Sequence, residues 1–264
     1  MIQRKAFDGI SEDAAKVISN IKSRWSCRIF KDEPVPKQVI EVLIDAANYA
    51  PSPKNCQPWE FIVLSGEPLH QFHESIDQWI KEKEDIKSQK DELKKLLPDG
   101  EYYTTLPREL LKRQKHFLQK VSEQLEKFGV KLKDVYKNTF YCHYAPAVIL
   151  VISDSVKRDR HGLEVHQALA AAIQNILLVS HALGYGSCWI GDILRFGKKL
   201  NTHFAISEMK EVVAGIAIGR PGISVTDVSD KIKEAVDDNI SETDFTMERI
   251  PKEPVDTKVK FFGF

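Results

Sequence analysis

Apolar residues along this chain recur at helical spacing in several long stretches and run almost unbroken in a few short ones. After Ser11, the positions Ala14, Val17, Ile18 and Ile21 predict an amphipathic helix ending near Trp25. A second helix is expected from about Pro36, carrying Val39, Ile40, Leu43, Ile44 and Ala47 inward. It stops at APSPKNCQPW, where Pro51, Pro53 and Pro58 force an irregular loop. EFIVLS (60–65) then reads as a short buried strand, and APAVILVISD (145–154) as an interior strand covered on both faces. GLEVHQALAAAIQNILLVSHALG (162–184) is the longest apolar helix, expected at the centre, with Gly184 as its C-terminal cap. GSCWIG (186–191) predicts a short extended piece, and EVVAGIAIGRPG (211–222) another buried strand ending in a glycine turn.

Between these stretches the pattern changes. From Lys81 to Leu97, eleven of seventeen residues are charged with both signs interleaved, the mark of a solvated helix face. LPDGEYYTTLP (97–107) breaks that helix. Another follows over about 108–128, with Leu111, Leu118, Val121, Leu125 and Phe128 on one side. The tail, with Pro251 and Pro254, is expected to be extended. Without repeats, linker or composition shift, residues 1–264 read as one α+β domain with helices on both sides of a small central sheet.

Composition narrows the partners. Of the 264 residues, 42% are hydrophobic and 29% charged, and 38 Lys+Arg balance 38 Asp+Glu. No global field therefore attracts nucleic acid or an anionic membrane, and a local cluster must carry any anion binding. No apolar run is long enough to span a membrane, and the N-terminus does not read as a signal peptide, so a cytoplasmic protein is expected. Cys27, Cys56, Cys142 and Cys188 show no C-x-x-C spacing and are expected to be free buried thiols. P-loop, nucleophile-elbow and G-x-G-x-x-G patterns are absent. His161 and His166, with Glu164 between them, read as helix-start residues rather than metal ligands, and no metal site is expected.

Two segments are not explained by local structure. In RWSCRIFKDEPVP, alternation along an extended segment places Arg24, Ser26 and Arg28 on one side. Two guanidiniums and a hydroxyl suit a phosphate monoester, although a solvated turn is the competing reading. In APSPKNCQPWEFIV, Ser52 and Asn55 sit in a proline-stiffened loop. A side-chain amide held there can donate and accept together, as the edge of a heterocyclic ring requires.

Taken in order, SRWSCRIFKDEPVPKQVIEVLIDAANYAPSPKNCQPWEFIVLSG (23–66), YAPAVILVISD (144–154), AIQNILLVSHALGYGSCWIGDI (172–193) and VVAGIAIGRP (212–221) resemble the FMN-dependent nitroreductase family. The specific part is R-x-S-x-R-x-F followed by A-P-S-x-x-N-x-Q-P-W. About half the chain is covered; a helical insertion over roughly 68–140 falls where family members vary.

The resemblance implies a nitroreductase-like α+β fold whose central sheet is mostly antiparallel and flanked by helices. It further implies an intertwined homodimer with one FMN at each of two interface sites. Arg24 and Ser26 would bind the FMN phosphate, with backbone contacts from Trp25. Arg28 would reach the ribityl chain and the pyrimidine side of the ring. Pro51, Ser52 and Asn55 would line the ring from the partner subunit. Trp189, Ile190 and Gly191 would pass along it with a backbone N–H directed at N5, and Arg249 in ERIPKEPV would be a second phosphate ligand.

No catalytic side chain is implied. NADH or NADPH would give hydride to N5, and a small aromatic, nitroaromatic or quinone acceptor would take it in ping-pong fashion. Trp79, Tyr102, Tyr103 and Phe117 either form a cover over the ring that sets substrate choice or belong to the core. The alternatives within the fold are a reductive dehalogenase and a flavin-cleaving enzyme; from a different class, a non-catalytic flavin-binding protein. Trp25 departs from the basic or small residue common at its position.

Overall fold

The near-continuous apolar stretches become the two inner strands of an antiparallel sheet. A computed structural model describes residues 11–88, 107–127, 129, 131–156, 159–226, 245–248 and 252. Strands β1 (Glu60–Ser65), β2 (Ala147–Asp154), β3 (Gly186–Ile190) and β4 (Lys210–Gly219) form one sheet in the order β1-β2-β4-β3. All three pairings are antiparallel, with Ser65 opposite Ala147, Ala147 opposite Ile218, and Gly219 opposite Gly186. β1 and β3 are therefore the edges. β2 and β4 are covered on both faces, which is why they lack polar alternation. β5 (Ile223–Thr226) and β6 (Phe245–Glu248) form a separate parallel pair.

The helices are α1 (Glu12–Ser23), α2 (Lys37–Asn48), α3 (Gly66–Ser88), α4 (Arg108–Glu126), α5 (Leu132–Lys137), α6 (Arg160–Ala182) and α7 (Lys198–His203). α2 and α6 cover one sheet face, where Leu43, Ala47, Ile173 and Ile176 pack on Ile149, Ile216 and Ile218. Ala168 and Ala172 let α6 approach closely, and Asn175 Nδ2 donates to Ala46 O at 2.9 Å, tying α6 to α2. Phe72, Ile76 and Trp79 of α3 cover the other face with Ile193, Phe196 and Leu200, over Val148, Leu150 and Ile152. Trp79 is buried against Phe72 and Phe196, so it belongs to the core and not to a cover over a ring.

Local chemistry sets the helix ends. Ser11 Oγ accepts from Ala14 N at the start of α1, and Asp159 Oδ1 accepts from Gly162 N at 2.9 Å at the start of α6. Pro36 is the residue before α2 rather than its first helical position. The proline loop holds a single 3-10 turn, Pro53–Asn55. The apolar stripe predicted on α1 exists but is not covered: Val17 is 59% and Ile21 50% exposed, so α1 presents an apolar row to its surroundings.

Three of the four cysteines are core side chains. Cys27, Cys142 and Cys188 are buried, whereas Cys56 is exposed, contrary to the expectation that all four would be buried. Burial pushes the Cys27 and Cys142 thiols up to about 12 and raises that of Cys188. Cys27 lies so close to β3 that a Cβ on Gly186 would stand 2.7 Å from its Cβ and Sγ.

Gly186→Ala is therefore expected to cost about 1–3 kcal/mol in urea unfolding, with little relief from side-chain movement. In the native protein a thiol reagent at pH 8 should titrate only the thiol that Cys56→Ser removes, the others reacting after denaturation. Above pH 9 the unfolded chain loses thiol protons that the folded chain retains. Stability should then fall toward pH 12, each retained proton contributing up to about 1.4 kcal/mol per pH unit.

Candidate functional site

The chain leaves α1 in extended backbone and lies along the outer edge of β3. Arg24 caps α1, its N–H bonded to Asn20 O at 3.1 Å. Ser26 then pairs in parallel with Ser187, and Cys27 N donates to Ser187 O at 3.0 Å. Further on, Phe30 pairs with Pro221, and Gly222 N donates to Ile29 O at 2.9 Å. The end of α1 is anchored on α6 by Asn20 Nδ2 to Leu178 O at 2.9 Å and by Ser23 Oγ with His181 Nε2 at 2.7 Å.

Held this way, the segment alternates. Cys27 is fully buried, while Arg24, Ser26 and Arg28 are half-buried on the other side. Arg28 Nη1 donates to Ser26 O at 3.2 Å, folding its guanidinium back along the segment. No carboxylate among the described residues pairs with Arg28. Both guanidiniums pull the Cys188 thiol down against the larger effect of burial, so two like charges stand near the same buried group. An anion beside Arg28 would be favoured there.

The same edge continues into the second predicted element. Because the Ser187 carbonyl points outward to Cys27, backbone alternation sends the Trp189 N–H out along the same edge. Trp189 is 43% exposed, whereas Ile190 is buried and pairs with Gly215 of β4, so Trp189 carries the strand's outward N–H. At Gly191, where the strand ends, the carbonyl accepts from Leu194 N at 3.0 Å. Arg24, Trp25, Ser26, Arg28 and Trp189–Gly191 thus come together.

The loop does not join them within one chain. Pro51, Ser52 and Asn55 precede Glu60, which pairs with Ile152 at the far end of the strands, and β1 is the opposite sheet edge. Loop and arginines lie diagonally across the sheet, with the edge strands alone separated by roughly 14 Å at ordinary strand spacing. The loop is firmly built: Ser52 Oγ accepts from Gln57 N at 3.0 Å, Trp59 Nε1 donates to Asn48 Oδ1 at 3.1 Å, and Asn55 is exposed with φ 60°. A groove of about 670 Å³ beside it, lined by Ile44, Asn48, Trp59 and Phe61, also lies on this side and does not include the arginines. Arg249, Tyr102 and Tyr103 lie outside the described residues.

One strained, buried turn carries no signal in the sequence pattern. Cys142, His143 and Tyr144 all have left-handed backbone, with φ 51°, 55° and 52°. Each such non-glycine residue costs about 1–3 kcal/mol unless its surroundings hold it. Here Pro146 holds the turn: a Cβ on Gly219 would meet its Cδ at 2.6 Å and a Phe30 ring carbon at 3.0 Å. His143 is 5% exposed, and neither ring nitrogen has a hydrogen-bond partner among the described residues. Burial first, then the Arg28 charge, lowers its imidazole to about 4. A lone histidine before Ala-Pro gives no hint of this in one dimension.

The chain is similar to known proteins. The model of the nitroreductase family matches residues 21–220. A Methanothermobacter thermautotrophicus protein, provisionally named an NADH dehydrogenase/NAD(P)H nitroreductase, is 27% identical over 175 residues. That match spans 66% of this chain but only 60% of the relative, less than two thirds of its length. A 4-nitrobenzoate reductase of Pseudomonas putida is 23% identical over 208 residues, 75% of this chain and 82% of its own. The FMN-dependent nitroreductase NfnB of Mycobacterium smegmatis, solved in complex with NADPH, superposes with a TM-score of 0.70 at 18% identity, covering 94% of this chain and 99% of that one. It shares the fold, with its antiparallel sheet between helices. With arginine segment, sheet order and family model in agreement, the chain belongs to the nitroreductase family.

Proposed function

We propose that this protein is an FMN-dependent oxidoreductase that works as a homodimer. It takes hydride from NADH or NADPH and delivers it to a small aromatic acceptor, such as a nitroaromatic or a quinone. The observation that carries this reading is the continuous outer edge of β3, where Arg24, Ser26 and Arg28 lead into Trp189–Gly191. Two guanidiniums and a hydroxyl on one side of an extended segment fit a phosphate monoester, and outward strand N–H groups beyond them fit the polar edge of a flat ring. The names of the relatives, a nitrobenzoate reductase and an FMN-dependent nitroreductase, point the same way.

In this reading Arg24 and Ser26 hold the phosphate, and Trp25 adds backbone contacts. Arg28 stands at the ribityl and pyrimidine side, where a fixed cation stabilises negative charge. The Trp189–Gly191 backbone orients the ring. When bound, FMN would supply the hydride-transfer chemistry, and these residues would hold and orient it. The protein's task is to bind, orient and exclude, so the site needs no acid–base dyad. Arg249 is assigned as a second phosphate ligand.

The diagonal placement of loop and arginines supports the homodimer. Pro51, Ser52 and Asn55 of one copy reach the arginine edge only of another copy, and the open apolar row of Val17 and Ile21 offers a surface to cover. Residues 1–264 then act as one FMN-binding domain, with the 68–140 helices forming a variable insertion.

Three measurements check this reading. The purified protein should be yellow, or become so with FMN, and bleach when NADH or NADPH is added without oxygen. A chain that takes up no FMN would end the proposal. Arg24→Ala and Arg28→Ala should each weaken FMN binding about ten- to hundredfold, the range for a lost charged hydrogen bond, while unfolding midpoints of the flavin-free protein hold. Ile21→Glu should shift the protein from dimer to monomer in light scattering and lower FMN occupancy with it.

A further inference from the structure

Packing does not fix the place of α1 on its own chain. None of its residues is buried, and only Asn20 and Ser23 are not fully exposed. A helix of this kind lacks the covered apolar face that normally sets its position. Its last turn is fastened by polar bonds instead. Asn20 Nδ2 donates to Leu178 O of α6 at 2.9 Å, and Ser23 Oγ meets Nε2 of His181, in the last turn of α6, at 2.7 Å. The serine contact forms with either ring tautomer. With hydrogen on Nδ1 the hydroxyl donates to Nε2; with hydrogen on Nε2 the imidazole donates, and the hydroxyl can turn to Asn20 O at 3.4 Å.

This brace holds the exit from the helix. Asn20 O accepts from Arg24 N at 3.1 Å, and at Arg24 the backbone leaves the helix with φ −58° and ψ 138°. Two residues on, Ser26 pairs with Ser187 and Cys27 N donates to Ser187 O at 3.0 Å. Arg24 and Trp25 therefore span the gap between two fastenings, one on α6 and one on β3. Loosening the α6 fastening frees the backbone of Arg24, while β3 keeps Ser26 in place.

We propose that His181, acting through Ser23, is a positioning residue for Arg24, and that this brace sets a preference for flavin mononucleotide over riboflavin. The proposal rests on the FMN reading above, in which Arg24 and Ser26 hold the phosphate. A guanidinium on a fixed backbone gives up less freedom when it closes on a phosphate, so the brace adds affinity by preorganisation rather than by a contact of its own. The gain falls on the phosphate alone. Riboflavin has the same ring and ribityl chain but presents no phosphate for Arg24 to hold.

Fluorescence quenching with FMN and with riboflavin separates this role from a general structural one. In His181→Ala the FMN dissociation constant should rise about three- to tenfold, the range for one hydrogen bond, while that for riboflavin stays within about twofold of wild type. Ser23→Ala should do the same, and the double variant should lose no more than either single one, because both remove one shared bond. His181→Gln, whose amide can donate to or accept from Ser23, should restore FMN affinity to within about twofold. The phosphorus NMR resonance of bound FMN should move in both alanine variants and return in the glutamine variant. Wild-type FMN affinity in His181→Ala, or an equal loss for FMN and riboflavin, would overturn the assignment while leaving the FMN reading intact. Should His181→Ala not fold, Ser23→Ala decides. Should riboflavin bind too weakly to measure, the phosphorus resonance decides, and one that neither alanine variant moves overturns the assignment. A wild-type protein that binds no FMN would overturn both.

Discussion

The contact between Cys27 and Gly186 fixes the geometry on which the site depends. With no side chain at Gly186, the backbone of residues 26 and 27 can lie against β3 as a short additional strand. That pairing sets the alternation: Cys27 goes inward, and Arg24, Ser26 and Arg28 go outward. A bulkier residue at Gly186 would lift the segment, losing the Cys27–Ser187 hydrogen bond and the spacing of the two guanidiniums together. The same apposition explains why a thiol stands here. Cys27 is small and apolar enough to be fully buried in a narrow gap, and its proton is tightly held.

Around that contact the electrostatics are one-sided. Arg28 acts on the imidazole of His143, both guanidiniums act on the buried Cys188 thiol, and among the described residues no carboxylate balances Arg28. The half-buried guanidiniums keep much of their field, because neighbouring thiols and a neutral ring screen poorly compared with water. Solvated ion pairs such as Lys16–Glu12 and Lys37–Glu41 absorb charge on exposed helix faces.

Much of the fold was legible in the sequence because burial on both faces and helical periodicity leave strong one-dimensional traces. The unbroken apolar run of β2 and the 23-residue α6 are examples. The arginine segment was legible through its spacing. Other features depend on what lies opposite in space, which a linear pattern does not carry. Cys56 and Cys27 look alike in sequence, yet one falls in an exposed turn and the other in a tight gap. Trp79 reads as a ring available for stacking until α3 turns it into the core. The apolar stripe of α1 has the period of a buried helix, yet Val17 and Ile21 stay exposed among the described residues. His143 becomes noteworthy only once the left-handed turn buries it.

The diagonal separation of the proline loop from the arginine edge has a genetic consequence. In a two-fold symmetric pair, each composite site draws its arginines from one copy and its loop from the other. A mixed dimer with one copy defective at Arg24 and the other at Asn55 carries one site with both lesions and one with none. If the proposed homodimer holds, two alleles inactive for these separate reasons would complement each other, each mixed dimer keeping up to half the activity of a wild-type pair, whereas two lesions on the same allele would leave every mixed site with a single fault.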